Sequence, residues 1–82
     1  MQIVWDEPKR LTNLLKHKLD FESLSEEWFA TARIETAHGR RLKAIGRLDD
    51  GTIVVIFATL GAEALSVISM RPAKARERRL IR

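Results

Sequence analysis

Basic residues crowd one end of this chain. Arg71 to Arg82 hold six basic side chains and one acid, Glu77, whereas the first seventy residues hold nine basic and ten acidic ones. The last twelve residues therefore carry +5 against −1 for the rest, a concentration that suits an anionic partner such as nucleic acid. On a helix, Arg71, Lys74, Arg78 and Arg82 would share one face. Like charges one turn apart weaken a helix, so four in line imply a gain elsewhere, and contact with phosphates is that gain. A frayed, merely soluble tail is the competing reading. It is the weaker one, because Glu77 is the only acid in the run.

A second basic group lies upstream. If Leu42 to Leu48 form a strand, alternation turns Arg41, Lys43, Ile45 and Arg47 to one face and Leu42, Ala44, Gly46 and Leu48 to the other. Should the first face meet the C-terminal helix, arginines from two elements converge. Cleaving a phosphodiester needs such cations, because charge builds on the phosphate oxygens in the transition state. Guanidinium suits the role through its bidentate geometry and a charge that does not titrate away. An edge strand carrying solubilising charge explains the same spacing equally well.

Other chemistries find little support. There is no cysteine, hence no disulfide framework, thiolate metal site or cysteine nucleophile. The carboxylates are scattered except for Asp49-Asp50, which a turn explains, so no metal or other cofactor is expected. Ser66 and Ser69 have no motif around them, and no glycine-rich phosphate loop occurs. His17 could exchange protons near neutrality, although a histidine at a helix end more often caps carbonyls. Glu77 could act as an acid or base within the basic cluster, or simply pair with Lys74. The aromatic residues Trp5, Phe21, Trp28, Phe29 and Phe57 suit a core better than a base-stacking platform.

The elements that must position these residues can be read from the pattern. Ile3 to Trp5 reads as a short strand, and Asp6 caps a helix over Glu7–His17 with Pro8 in its first turn. Asp20 caps a second helix with Phe21, Leu24 and Trp28 on one face. Strands are expected over Thr31–Thr36, Leu42–Leu48, Thr52–Thr59 and Ala64–Met70. Turns fall at His38-Gly39-Arg40, at Asp49-Asp50-Gly51 with Gly51 supplying positive φ, and at Gly61. Pro72 opens a C-terminal helix running towards Leu80. The order β-α-α-β-β-β-β-α predicts an α+β fold: two N-terminal helices, an antiparallel sheet of three to four or more strands and a C-terminal helix, in one domain over residues 1–82. The first seven residues lack the basic flank and apolar stretch of a signal peptide, and Ile53 to Ala58 is too short to span a bilayer. A cytoplasmic protein with no membrane partner is expected.

Four segments together carry a family resemblance: Val4-Trp5-Asp6-Glu7-Pro8-Lys9; Asn13 with Lys16-His17 and Asp20-Phe21; Arg41-Leu42-Lys43-Ala44-Ile45-Gly46-Arg47; and Ser69-Met70-Arg71-Pro72-Ala73 with Glu77-Arg78. In order and spacing the chain resembles the BrnT family of bacterial toxins along almost its whole length. The resemblance implies a RelE-like fold and a metal-independent endoribonuclease in which the ribose 2′-hydroxyl attacks phosphorus. It implies two partners, RNA as substrate and a neutralising ribbon-helix-helix antitoxin, with DNA contacted only indirectly through that antitoxin. By motif, Arg41, Arg71 and Glu77 are the catalytic candidates, and Arg47, Lys74 and Arg78 the RNA-binding ones. The sequence departs from the family pattern at Leu60, at Met70-Arg71-Pro72 and in having no tyrosine. These departures favour the alternative, a weak or inactive homologue acting as corepressor of a DNA-binding antitoxin. A free-standing ribbon-helix-helix protein fits poorly, because its single strand would precede its helices.

Overall fold

A computed structural model describes residues 1–49 and 51–81. Gly51 to Leu60, β-branched and apolar on both faces, forms the middle strand of a five-stranded sheet, as a strand covered on both sides must. In chain order the elements are β1 (Gln2–Trp5), α1 (Glu7–His17), a 3-10 turn (Phe21–Ser23), α2 (Glu26–Thr31), β2 (Arg33–Thr36), β3 (Leu42–Leu48), β4 (Gly51–Leu60), β5 (Ala64–Pro72) and α3 (Ala75–Leu80). The strands lie in the order β1-β5-β4-β3-β2.

The fold is α+β as expected, with corrections to the sheet and to two of the helices. The sheet is mixed: β2 to β5 pair antiparallel through short connections, but β1 pairs parallel to β5, Gln2 opposite Ala64 through Trp5 opposite Val67. Hairpin signals govern only consecutive strands, and β1 meets a partner sixty residues away. The second N-terminal helix is divided. Asp20 accepts from the Glu22 N–H and starts only the 3-10 turn, Leu24 is extended, and Ser25 Oγ then accepts from the Trp28 N–H to cap a six-residue α2. Phe21, Leu24 and Trp28 are buried in one cluster all the same.

The C-terminal helix starts later than Pro72. Pro72 ends β5, Lys74 is the N-cap of α3, and Arg71 is thus a strand residue. Arg71, Lys74 and Arg78 do not form a helical stripe. Arg82, its expected fourth member, lies outside the described residues, as does Asp50 of the β3–β4 turn, where Asp49 takes a φ of 56°.

The two faces of the sheet are unequal. One carries the main core, where Ala44, Ile53, Val55, Phe57, Leu65, Val67 and Met70 meet the 3-10 turn and α2. Trp28 stacks edge-on against Phe29, Phe29 against Phe57, and the Trp28 indole N–H donates to the Arg47 carbonyl at 2.8 Å. Gly46 lies directly beneath that indole: a Cβ there would come within 3.1 Å of Trp28. On the other face Ile45 and Val54 meet Ala73, Leu80 and Ile81, so α3 covers only part of it.

Register passes from one face to the other on β5 through a bulge. Phe57 faces Val67, but Ile56 faces Ser69, which leaves Ile68 as an extra residue. Strict alternation from Val67 would turn Ser69 and Arg71 towards the main core. The extra residue gives that place to Met70 instead and sends Ser69 and Arg71 to the face of α3.

α1 is held against β5 largely by polar contacts. Leu11 and Leu15 are exposed, and the buried residue of the helix is Asn13. Its Oδ1 accepts from the Met70 N–H at 3.0 Å, beyond the point where β1 ceases to pair, and its Nδ2 donates to the Leu19 carbonyl. Arg10 ties the helix to the cap of the 3-10 turn by pairing with both Glu7 and Asp20. Asn13→Ala orphans a buried N–H and should cost about 1–3 kcal/mol. Urea unfolding should show this as a lower midpoint at unchanged slope; an unchanged midpoint would mean that another group satisfies Met70.

Candidate active-site cleft

The uncovered part of the α3 face borders a cleft of about 660 Å³ between α1, β5 and the residue preceding β3. This volume lies in the range of small-ligand sites. α1 contributes Lys9, Asn13, Lys16 and His17; β5 contributes Ile68, Ser69 and Arg71; and Arg41 reaches in from the β2–β3 connection. Lys9, Asn13 and Lys16 share one helical face, opposite in character to the exposed Leu11 and Leu15. The described lining thus holds four cations and no carboxylate, and a phosphate chain entering it meets positive charge from three directions.

Arg71 is the best-defined member. Its Nη1 and Nη2 donate to the two oxygens of Glu77, each at 2.8 Å, and Nη1 also donates to the Pro72 carbonyl at 3.2 Å. The end of the guanidinium fork is therefore occupied. The side edge, Nε–H with the remaining Nη2 hydrogen, has no partner among the described residues and is itself a bidentate donor surface.

Glu77 lies beneath the cleft and does not line it. It is 3% exposed, and beyond Arg71 its oxygens accept from the Lys74 backbone N–H at 2.8 Å and from Lys43 Nζ at 3.4 Å. The Arg71 hydrogen bonds, with help from Lys74 and Lys43, hold its carboxyl down to about 2 against the opposing effect of burial. Pairing with Glu77 in turn fastens the proton on Arg71 more firmly than usual. Lys43 comes from the β3 face that alternation assigns, and it joins this cluster where the strand meets α3.

The structure thus brings Arg41 and Arg71 to one cleft, with Glu77 behind Arg71. Lys74 is exposed at the N-cap of α3, and Arg78 donates to the Ala73 carbonyl at 2.9 Å. Arg47 is exposed at the far end of β3, on the sheet face of Arg71 but off the cleft. Sequence reasoning does not assign Lys9 or Lys16 to the site, and it places Lys43 on the basic face of β3 without giving it a partner. The Lys9-Asn13-Lys16 spacing is the available signal, but the nearby leucines suggest a helix that buries its apolar side.

Three comparisons bear on this arrangement. Residues 5–77 match the sequence model of a family described as the ribonuclease toxin BrnT of type II toxin–antitoxin systems. The structure is similar to the 1.1 Å-resolution crystal structure of the Brucella abortus ribonuclease toxin BrnT, with a TM-score of 0.85 and 52% sequence identity over 90% of this chain and 97% of that one. A comparison with curated proteins finds no match.

The Glu77 pairing predicts a pH dependence. Its carboxyl titrates lower when folded than when unfolded, so the stability it contributes is full above the ordinary carboxylate range near 4.5 and is lost as pH falls towards about 2. Urea midpoints measured from pH 6 to pH 2.5 should fall more steeply for wild type than for Glu77→Gln. Parallel curves would count against the pairing.

Proposed function

The chain belongs to the BrnT family of ribonuclease toxins of type II toxin–antitoxin systems, and from that premise we propose that it is a metal-independent endoribonuclease whose active site is the cationic cleft. The observation that carries this reading is the meeting of Arg41 and Arg71, from separate parts of the chain, with Lys9 and Lys16 of α1. RNA lies in the cleft with its scissile phosphate against the side edge of Arg71. The ribose 2′-oxygen attacks phosphorus, the bond to the 5′-oxygen breaks, and a 2′,3′-cyclic phosphate remains.

Each residue has a part in this scheme. Arg71 and Arg41 neutralise the charge that accumulates on the phosphate oxygens. Glu77 acts on the reaction through Arg71, fixing the guanidinium so that its free edge needs no ordering when substrate arrives. Lys74, Arg78 and Arg47 hold RNA outside the cleft by phosphate contacts. In this scheme no metal takes part, and the guanidinium and ammonium groups of the cleft stabilise the developing charge.

In this reading the protein acts in the cytoplasm as one toxin domain over residues 1–82, and no described helix is long and apolar enough to cross a membrane. A ribbon-helix-helix antitoxin neutralises it, and the pair meets promoter DNA through the antitoxin.

Inducible expression with growth curves and total-RNA integrity tests the proposal. Wild type should arrest growth and degrade RNA. Arg41, exposed and unpaired among the described residues, gives the cleaner variant: Arg41→Ala should slow cleavage about 10²–10³-fold with an unchanged melting temperature. Arg71→Ala should abolish arrest but also destabilise, because it strips Glu77 of its main partner. Normal growth and intact RNA with soluble wild type would leave the non-catalytic corepressor as the reading.

A further inference from the structure

We propose that His17 is the proton acceptor of the cleft, the catalytic residue that takes the proton from the attacking 2′-hydroxyl. The proposal rests on the ribonuclease reading above and adds to it the group that this reading lacks.

Attack by a 2′-oxygen requires something to accept its proton. Of the charged side chains that line the cleft with His17, Lys9 and Lys16 come from its own helix, Arg41 from the connection before β3 and Arg71 from β5. All four are basic side chains suited to attracting phosphate, and none is of a type whose ordinary range spans neutral pH. Asn13 is committed to Met70 and Leu19. Glu77 lies behind Arg71, buried, with both oxygens occupied and its carboxylate held far from neutrality, so it neither reaches substrate nor exchanges protons. Imidazole is the remaining described side chain of the cleft whose chemistry is proton exchange near neutral pH.

The ordinary role for a histidine in this position, capping helix carbonyls, is not taken up by the imidazole among the described residues. His17 is the last residue of α1, but the chain turns there through Lys18 in the left-handed conformation, and the Lys18 N–H caps the Leu14 carbonyl at 2.9 Å. The imidazole is half-buried in the cleft wall and makes no side-chain hydrogen bond among the described residues. In the step itself the 2′-oxygen bonds to phosphorus as its proton passes to the neutral imidazole. The bond from phosphorus to the 5′-oxygen breaks, water protonates that oxygen, and the imidazolium returns its proton to solvent.

The test is cleavage of a mixed-sequence single-stranded oligoribonucleotide by wild type, His17→Ala, His17→Gln and Arg41→Ala, with folding checked by thermal melts. His17→Ala and His17→Gln should lower kcat about 10²–10⁴-fold at little-changed KM, and the acid limb of the wild-type pH profile should disappear. Free imidazole should restore part of the His17→Ala rate and none of the Arg41→Ala rate. Folded His17 variants with kcat near wild type, or a loss that lies in KM and is not rescued by imidazole, would overturn the assignment while Arg41→Ala still reports on the ribonuclease. Wild type unable to cut the RNA would overturn both.

Discussion

The interaction on which the rest depends is a carboxylate buried among cations. A charge as enclosed as that of Glu77 is tolerated only if its oxygens are fully partnered. Arg71 of β5, Lys43 of β3 and the first turn of α3 meet that requirement together. One side chain thereby joins two strands to a helix of only six residues, which could not hold its place on propensity alone. The same contacts fix the guanidinium at the edge of the cleft. The atoms that stabilise the fold here also shape the cleft.

α1 shows a related economy. Its apolar residues do little to attach it, and Asn13, Arg10 and Glu7 take over through hydrogen bonds and ion pairs. Attachment through a single buried amide leaves the neighbouring helix positions free to carry Lys9, Lys16 and His17 along the cleft. A helix anchored by a leucine stripe would have presented apolar surface to β5 and turned its cations to bulk solvent.

Much of this arrangement is legible in the sequence. The order of elements, the central character of β4 and the alternation along β3 all derive from local chemistry, and alternation correctly directs Lys43 and Ile45 towards α3. Spacing places Arg41 and Arg71 in two basic groups, and family resemblance picks them out of those groups. The features that local patterns miss are non-local or nearly degenerate. Two good caps, Asp20 and Ser25, stand five residues apart, and local rules do not say which one starts the α-helix. Pro72 is as acceptable at the end of a strand as at the start of a helix. The parallel pairing of β1 and the part played by α1 in the cleft depend on contacts between distant segments, which no short window contains.

The extra residue at Ile68 has a consequence of a different kind. It divides β5 into two runs of opposite phase: the first half of the strand is written for the core and the second half for the cleft. Arg71 is therefore not tied to the pairing that builds the first half. Its face is decided by whether the count between Val67 and Met70 is odd or even. A change of one residue in that interval would leave every side chain chemically intact yet turn the arginine inwards and a core methionine outwards. In this part of the chain, length carries information that composition does not, and a substitution-tolerant segment can still be intolerant of a single insertion or deletion.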